Sequence, residues 1–449
     1  MIRLSDIRDS LEGVIPSVIA TTDGNGLPNI SYLSHVHFVD DEHVALSNQY
    51  FSKTAANISA NGLATVMVVD GYSGQQHILD LLFERSETLG PIFDRVAIHL
   101  AVASREQGMS DMMKLRAVDV YRVMDCRRVP AANPLELPQR SVADRRDHLE
   151  LTHRLTEQLE EAGDVERALD LVLEGLETMF GFGHTMVLLA DSERCQLTTI
   201  ASRGYDRFGF GSEVAFGSGT IGMAAQARLP VRISDMSRGR RYVSAVRSTS
   251  GLDPGKELAR PAIASPASQL AVPLQIQGRL VGVVFTESER PFAFGHKDEE
   301  ALSIIARQLA LTIVLSEHQE RGGTAAGVAT PASPPRSNTQ PTFSVRYYSR
   351  DGSIFLGDEY LIRGVPGRLL HHFLSDYLTS GRRDFLNKEI RRDRSLLLPD
   401  FKDNLETRLI LLRRRLEEKG GPVRLVRADR GRLRLDVEGV PHLTVIDEP

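Results

Sequence analysis

Between Arg321 and Thr342 the sequence reads Gly-Gly-Thr-Ala-Ala-Gly and then Pro-Ala-Ser-Pro-Pro, with almost no large apolar side chain. Such a stretch cannot bury enough surface to order itself, so it reads as a linker between domains. A second boundary falls at Arg127 to Asp147, where Pro130, Pro134 and Pro138 lie among charges. The two breaks divide the chain into blocks of about 130, 170 and 105 residues, each long enough for a core. The expected division is 1–128, a linker at 129–148, a second unit at 149–320, a linker at 321–342, and a last unit at 343–449.

Composition narrows the class. Hydrophobic residues at 41% and charged residues at 25% fit a folded soluble protein rather than a disordered one. Lys+Arg total 54 against 59 Asp+Glu, a net charge of −5. From Arg382 to Arg434, however, 17 basic residues face 9 acidic ones, a local +8, so the remainder carries −13. An acidic body carrying a basic segment is a partner signal that the average hides. The two cysteines, Cys126 and Cys195, exclude a disulfide scaffold and a four-cysteine metal site. The opening Met1-Ile2-Arg3-Leu4-Ser5-Asp6 lacks the build of a signal peptide, and the apolar run Leu63 to Val69 stops at Asp70. A cytoplasmic protein without membrane association is the expectation.

The first block alternates as β-structure does. Ser17 to Thr22 reads as a strand and Asp23-Gly-Asn-Gly26 as a hairpin turn. Asn29 to Val39 reads as the return strand, followed by a strand at His43 to Asn48, a helix at Lys53 to Asn61 and a strand at Ala64 to Val69. Leu79 to Thr88 and Val118 to Met124 read as later strands, with a helix near Ile92 to Glu106. The turn Gly24-Asn-Gly-Leu-Pro28, the run Ser52-Lys53-Thr54 with Asn57 and Asn61-Gly62, and the strand at Ala64 resemble the split β-barrel of pyridoxamine phosphate oxidase-like flavoproteins. That resemblance implies FMN binding through Asn48, Ser52, Lys53 and Thr54. A charge and donors just before a helix suit a phosphate, although Ser52 could equally be a plain helix cap. His35 and His37 share a strand face, a spacing open to a metal pair or to structural histidines. No metal site is expected.

The middle block opens on helical spacing at Leu151, Leu155 and Leu159 and again at Leu169, Val172, Leu173 and Leu176. Strands at Thr185 to Ala190, Gln196 to Ser202, Gln269 to Gln275 and Arg279 to Glu287 precede a long helix from Lys297 to about Glu317. Phe216-Gly-Ser-Gly-Thr-Ile-Gly222, Pro230-Val-Arg-Ile-Ser-Asp235, Ser268-Gln-Leu-Ala-Val-Pro-Leu274 and Gly278-Arg-Leu-Val-Gly-Val-Val284 resemble a GAF domain, a small-molecule-sensing fold. Gly217, Gly219 and Gly222 also spell a dinucleotide fingerprint, but no βαβ unit flanks them and Asp235 comes too early for the ribose. The resemblance implies a small ligand of unknown identity. His184 and Cys195 could hold haem or react with oxidants; a buried structural role suits each better. Leu302, Ile305 and Leu309 fit either a parallel helical seam between two copies or the domain's own core. A homodimer through the flanking helices is expected.

The last block has strand-like pieces at Phe343 to Tyr348 and Ser353 to Leu356, and helices at Pro366 to Leu378, Arg382 to Arg392 and about Pro399 to Lys419. In the third helix Leu405, Leu409, Leu412 and Leu416 stack on one side, and Gly420-Gly421-Pro422 ends it. Val423 to Val426 and Arg432 to Val437 close a hairpin. This order, with Leu405-Glu-Thr-Arg-Leu-Ile-Leu-Leu-Arg-Arg-Arg-Leu416, resembles the winged-helix effector domain of bacterial response regulators. The resemblance implies double-stranded DNA as partner. It places Asn404, Thr407 and Arg408 at base edges, Lys402, Arg413, Arg414 and Arg415 at phosphates, and Arg427, Arg430 and Arg432 in the wing. Two features depart from the pattern: Ile410 and Leu411 are apolar where groove-facing polar residues are usual, and Arg430-Gly-Arg-Leu433 replaces the family's wing signature.

The whole reads as a multidomain α+β protein: a split β-barrel, a GAF fold and a winged helix-turn-helix. The function expected from it is a ligand- or redox-responsive bacterial transcription regulator. The alternative is an FMN-dependent oxidoreductase with regulatory GAF and winged-helix domains. No arrangement of Ser, His, Asp or Cys identifies a catalytic residue.

Overall fold

A computed structural model describes residues 2–11, 15–33, 35–48, 53–106, 115–130, 146–236, 261–322, 341–393, 396, 405–429 and 431–446. A turn at Leu4–Ile7 runs into α1 (Arg8–Leu11), followed by β1 (Ser17–Thr22), β2 (Pro28–Leu33), β3 (Val36–Phe38) and β4 (His43–Asn48). Then come α2 (Lys53–Asn61), β5 (Leu63–Val69), β6 (Gln76–Glu87), α3 (Pro91–Glu106) and β7 (Ala117–Arg128). The β1–β2 hairpin is set by Asp23, whose carboxylate accepts the Asn25 and Leu27 amides at 2.9 Å, and by Gly26 at φ +80°. The strands lie in the order β2-β1-β5-β6-β7-β4-β3. Ile19, Val44, Leu46, Val66, Val68, Leu79 and Leu81 fill its core. The return strand expected at 29–39 is two strands, because at His35 the chain changes partner: its carbonyl accepts the Ser47 amide at 3.2 Å, and β3 pairs with β4 instead of β1.

The second unit comprises α4 (His148–Glu160), α5 (Val165–Thr178), β8 (His184–Asp191), β9 (Gln196–Arg203), β10 (Glu213–Ala215), α6 (Gly219–Ala227), β11 (Val231–Ile233), β12 (Ser268–Ile276), β13 (Arg279–Ser288) and α7 (His296–Gly322). Asp147 caps α4 by accepting the Leu149 and Glu150 amides, and Asp164 caps α5 by accepting that of Arg167. The sheet order is β10-β9-β8-β13-β12-β11. Helices α4, α5 and α7 cover one face and α6 lies on the other, so β12 is apolar on both sides. Leu302, Ile305 and Leu309 of α7 are fully buried in this core. They are core residues, then, and the apolar side chains that α7 leaves exposed are Ile304, Leu311 and Leu315.

The third unit comprises β14 (Thr342–Tyr348), β15 (Ser353–Leu356), β16 (Glu359–Ile362), α8 (Val365–Ser380), β17 (Asp384–Leu386), α9 (Asn387–Arg392), α10 (Leu405–Lys419), β18 (Val423–Asp429), β19 (Arg432–Val437) and β20 (Val440–Ile446). Its sheets run β16-β15-β14-β20 and β17-β19-β18. The helix expected at Arg382 to Arg392 is in fact a strand followed by a short helix. Phe385 buries against Phe373, ring centroids 4.5 Å apart, while Asp384 to Leu386 pair with β19. Strand β20, not anticipated, returns to lie parallel to β14.

The units are not independent beads. Ile98 and Val102 of α3, in the first unit, pack with Ile221, Val231 and Phe285 on the α6 side of the second. The core of the second unit continues into the third without a break.

Candidate functional site

A cluster of charged side chains lies where α10 meets the middle unit. The Leu405, Leu409, Leu412 and Leu416 row of α10 is buried, as its spacing predicts. Ile410 and Leu411 are buried as well, at 5% and 3% exposure. Ile410 lines a cavity together with Glu166 of α5, and Leu411 lines another together with Thr198 of β9. Their apolar character, unusual for a helix facing a DNA groove, is explained by this second packing surface.

Around that apolar contact sits a ring of ion pairs. Arg413 pairs with Glu166 across the boundary and with Glu417 on its own helix at 3.6 Å. Arg414 reaches Asp170 at 2.6 Å and the Ile200 carbonyl at 3.3 Å, and its guanidinium lies over the Phe210 ring. Arg427 donates to Asp164 at 2.6 Å. On the far side Arg363 holds Glu213 through two nitrogens, and Glu418 accepts the Gly209 amide at 3.0 Å. Burial, joined by the charges of Arg414 and Arg427, pulls the Arg413 pKa below its ordinary value. The hydrogen bonds that Arg363 donates to Glu213 raise the Arg363 pKa. A polar cavity of about 250 Å³ adjoins this ring, bordered by Arg194, Arg363, Arg368 and Arg408 together with Asp191 and Glu213.

The residues expected to meet DNA divide accordingly. Lys402, Asn404 and Arg430 lie outside the described residues. Thr407 is buried at 2% exposure, and Arg408 borders the cavity. Arg413, Arg414 and Arg427 face the carboxylates of the middle unit. Arg415 is a brace within its own unit, donating to the Leu361 carbonyl at 2.9 Å and to Glu418 at 2.5 Å. Arg432 stands near the surface, 3.7 Å from Asp384. In this arrangement α10 presents its arginines to protein rather than to solvent. Sequence reasoning missed the opposing row Asp164, Glu166 and Asp170. All three lie within the cap and first turns of α5, which also carries Glu174 and Glu177.

Of the residues expected at a flavin, Ser52 is outside the described set. Lys53 is exposed at the start of α2. Thr54 bonds Asn29 and Ser31 at 3.0 Å, tying α2 to β2. Asn48 donates to Asp119 at 3.0 Å. In the described part of the barrel Lys53 is open to solvent, while Asn48 and Thr54 spend side-chain bonds internally. Desolvation raises the Asp119 pKa against the hydrogen bonds of Ser86 and Asn48.

On the α6 side of the middle unit, Thr220 donates to Gln269 at 2.6 Å, and Gln269 donates to Glu287 at 3.1 Å. The Ile263 amide donates to the other Glu287 oxygen at 3.1 Å. This chain of buried polar groups, with the His184 ring edge-on to Tyr205, was not foreseen. Arg95 of α3 joins Glu299 of α7, which Arg232 also reaches at 3.2 Å. The glycines of the fingerprint serve the turn before α6: Gly217 and Gly219 take φ +77° and +57°, and a Cβ on Gly222 would stand 2.2 Å from the Ala215 carbonyl. Cys195, expected to be buried, is exposed at a turn with φ +51°. His35 and His37 are buried, with the His99 ring 5.0 Å from that of His35. Among the described residues no group of three His, Cys, Asp or Glu is placed to hold a metal.

Two family models match the chain in parts. One, described as a GAF domain, matches residues 164–313; the other, described as pyridoxamine 5'-phosphate oxidase, matches residues 5–121. The chain is thus a multidomain α+β protein that joins a pyridoxamine phosphate oxidase-like N-terminal domain to a GAF domain. No curated protein matches it. Similar solved structures include group A Streptococcus HupZ, 23% identical with a TM-score of 0.23, covering 29% of this chain and 94% of that one. A GAF domain from a Coxiella burnetii phosphoenolpyruvate-protein phosphotransferase is 19% identical with a TM-score of 0.30, covering 39% and 96%. An FMN-binding protein from Syntrophomonas wolfei is 18% identical with a TM-score of 0.24, covering 29% and 90%. Among the described residues no helix is long and apolar enough to cross a membrane.

Proposed function

We propose that the chain is a cytoplasmic ligand- or redox-responsive transcription regulator. In this reading the third unit is a response-regulator-type winged helix that binds double-stranded DNA, and the barrel and GAF domains supply the input. The observation that carries it is the direct seating of α10 on α5 and β9 of the GAF domain. A basic helix with arginines for phosphates is held by the very fold that senses small molecules. A ligand that binds two arrangements of the GAF domain unequally must then shift α10.

FMN is the cofactor proposed for the barrel, with Lys53 and the start of α2 holding its phosphate; bound there, it would supply redox responsiveness. The GAF ligand is proposed to be a small molecule on the α6 side. A homodimer completes the reading, with Ile304, Leu311 and Leu315 on α7 as its apolar contact.

Titrating a mixed-sequence fluorescent duplex with the full chain across a salt series tests the reading. Retention should weaken with salt by close to one log unit per log unit for each phosphate contact. Absence of retention at low salt, both for the native chain and for a variant whose α10 has been freed, would sink it. The absorbance spectrum of the purified protein tests the flavin: a yellow protein that turns colourless on Lys53→Ala supports the site, and a colourless native protein removes it.

A further inference from the structure

We propose that the carboxylates of α5 stand in for DNA phosphates, so that the GAF domain and a duplex compete for the same face of α10. The proposal rests on the DNA-binding reading above and gives it a regulatory mechanism. Three of the arginines assigned to DNA, Arg413, Arg414 and Arg427, are each matched by a GAF carboxylate: Glu166, Asp170 and Asp164. A guanidinium fork recognises carboxylate and phosphate oxygens by the same charge-assisted hydrogen bonds. Asp164 is well held for the task, because its other oxygen is fixed by capping α5 through the Arg167 amide.

The two occupancies exclude one another. A helix reads the major groove only when its face is open to the bases. Here Arg414 is bound to Asp170 and the Ile200 carbonyl of the GAF domain, and Thr407, Ile410 and Leu411 of the same helix are buried. Release would expose Ile410 and Leu411 to water, which favours the closed state beyond what the ion pairs contribute. The acidic row then sets the balance: it neutralises the arginines while they are closed and must be replaced by phosphates when they open. Duplex affinity of the native chain is lowered by the fraction of molecules that are closed.

The test uses the full chain with Glu166→Gln and Asp170→Asn combined, leaving the Asp164 cap intact. Its control is Glu160→Gln with Glu174→Gln, which removes two charges from exposed positions of α4 and α5. Two readouts are taken: hydrogen exchange of the α10 amides, and retention on a mixed-sequence duplex at low salt. The expected result is faster exchange in α10 and at least a tenfold tighter duplex affinity for the α5 variant, with the control close to the native chain. Unchanged exchange in α10 overturns the proposal, because the carboxylates then hold nothing. A native chain that binds duplex as tightly as the variant overturns it too, while leaving the DNA-binding reading intact. Faster exchange without duplex retention by either chain overturns the DNA-binding reading and the competition with it. A charge-swapped chain, Arg413→Glu with Glu166→Arg, supports the pairing if α10 exchange returns to the native rate relative to Arg413→Glu alone. Failure to return counts against it.

Discussion

Arg414 of α10 and Asp170 of α5 meet at 2.6 Å although 244 residues separate them along the chain. The two ends of this bond live in different surroundings: the Arg414 side chain is 9% exposed and that of Asp170 is 51% exposed. Arg414→Ala should therefore cost about 2 kcal/mol, mostly through the lost Ile200 carbonyl bond and Phe210 contact. Its coupling to Asp170 should be only about 0.5–1 kcal/mol, because solvent screens the aspartate. A double-mutant cycle with Asp170→Asn, read by urea unfolding followed with circular dichroism, checks both numbers. A coupling well above this range would mean that the carboxylate is more enclosed than its exposure indicates.

Gly222→Ala should destabilise the GAF domain by about 1–3 kcal/mol, because the new methyl on α6 would press on the Ala215 carbonyl. Gly24→Ala is the comparison: a Cβ there meets nothing within 4 Å, and the change should cost little. Thermal melts of the two variants separate a need for close backbone approach from a general intolerance of glycine loss.

Acidity should stabilise the barrel through Asp119. Burial raises its folded pKa above the ordinary 3.8, so the folded state holds this proton more tightly than the unfolded state does. The resulting contribution is fully present below the ordinary carboxylate range and is lost as pH rises through that range to the raised value. Asp119→Asn should remove this part of the pH dependence and make the barrel more stable near neutrality. Melting temperatures of both chains between pH 4 and pH 7, values chosen to span roughly the carboxylate range, would reveal it; parallel curves would exclude it.

Arg95 joins the barrel to the GAF domain through Glu299 and through the Pro230 carbonyl at 3.2 Å. Both side chains of the ion pair are largely buried, so Arg95→Ala should cost about 2 kcal/mol. Arg85→Ala breaks a half-exposed pair with Glu87 and should cost about 0.5 kcal/mol or less. Equal losses from the two substitutions, measured by denaturant midpoint, would show that Arg95 links nothing.

Local chemistry was the legible part of this chain. The strands at Ser17–Thr22 and His43–Asn48 and the helix at Lys53–Asn61 fall where alternation, turn residues and spacing place them. The segment 382–392 was misread because its charges suit a helix, whereas the placement of Phe385 in the core is a tertiary fact. Strand β20 escaped notice because its partner, β14, lies at the other end of the unit. At the candidate site the arginines of α10 were visible as charge and Ile410 and Leu411 as an anomaly. What no local pattern could show was the facing surface: Asp164, Glu166 and Asp170 become neighbours of α10 only once both units have folded. Cys195 went wrong for a related reason, since average burial of cysteine says nothing about a residue placed at a hairpin turn.

The insertion of Ile98 and Val102 beneath the GAF sheet bears on how this protein could have arisen and how it can be cut. Barrel and sensor are not interchangeable cassettes, since replacing the first would take Ile98 and Val102 out of the apolar cluster they share with Ile221, Val231 and Phe285. Substitutions in α3 and in α6 should be inherited together. A chain trimmed at the proline-rich boundary would be expected to aggregate for want of its neighbour, and its silence in a binding assay would then reflect that exposed surface.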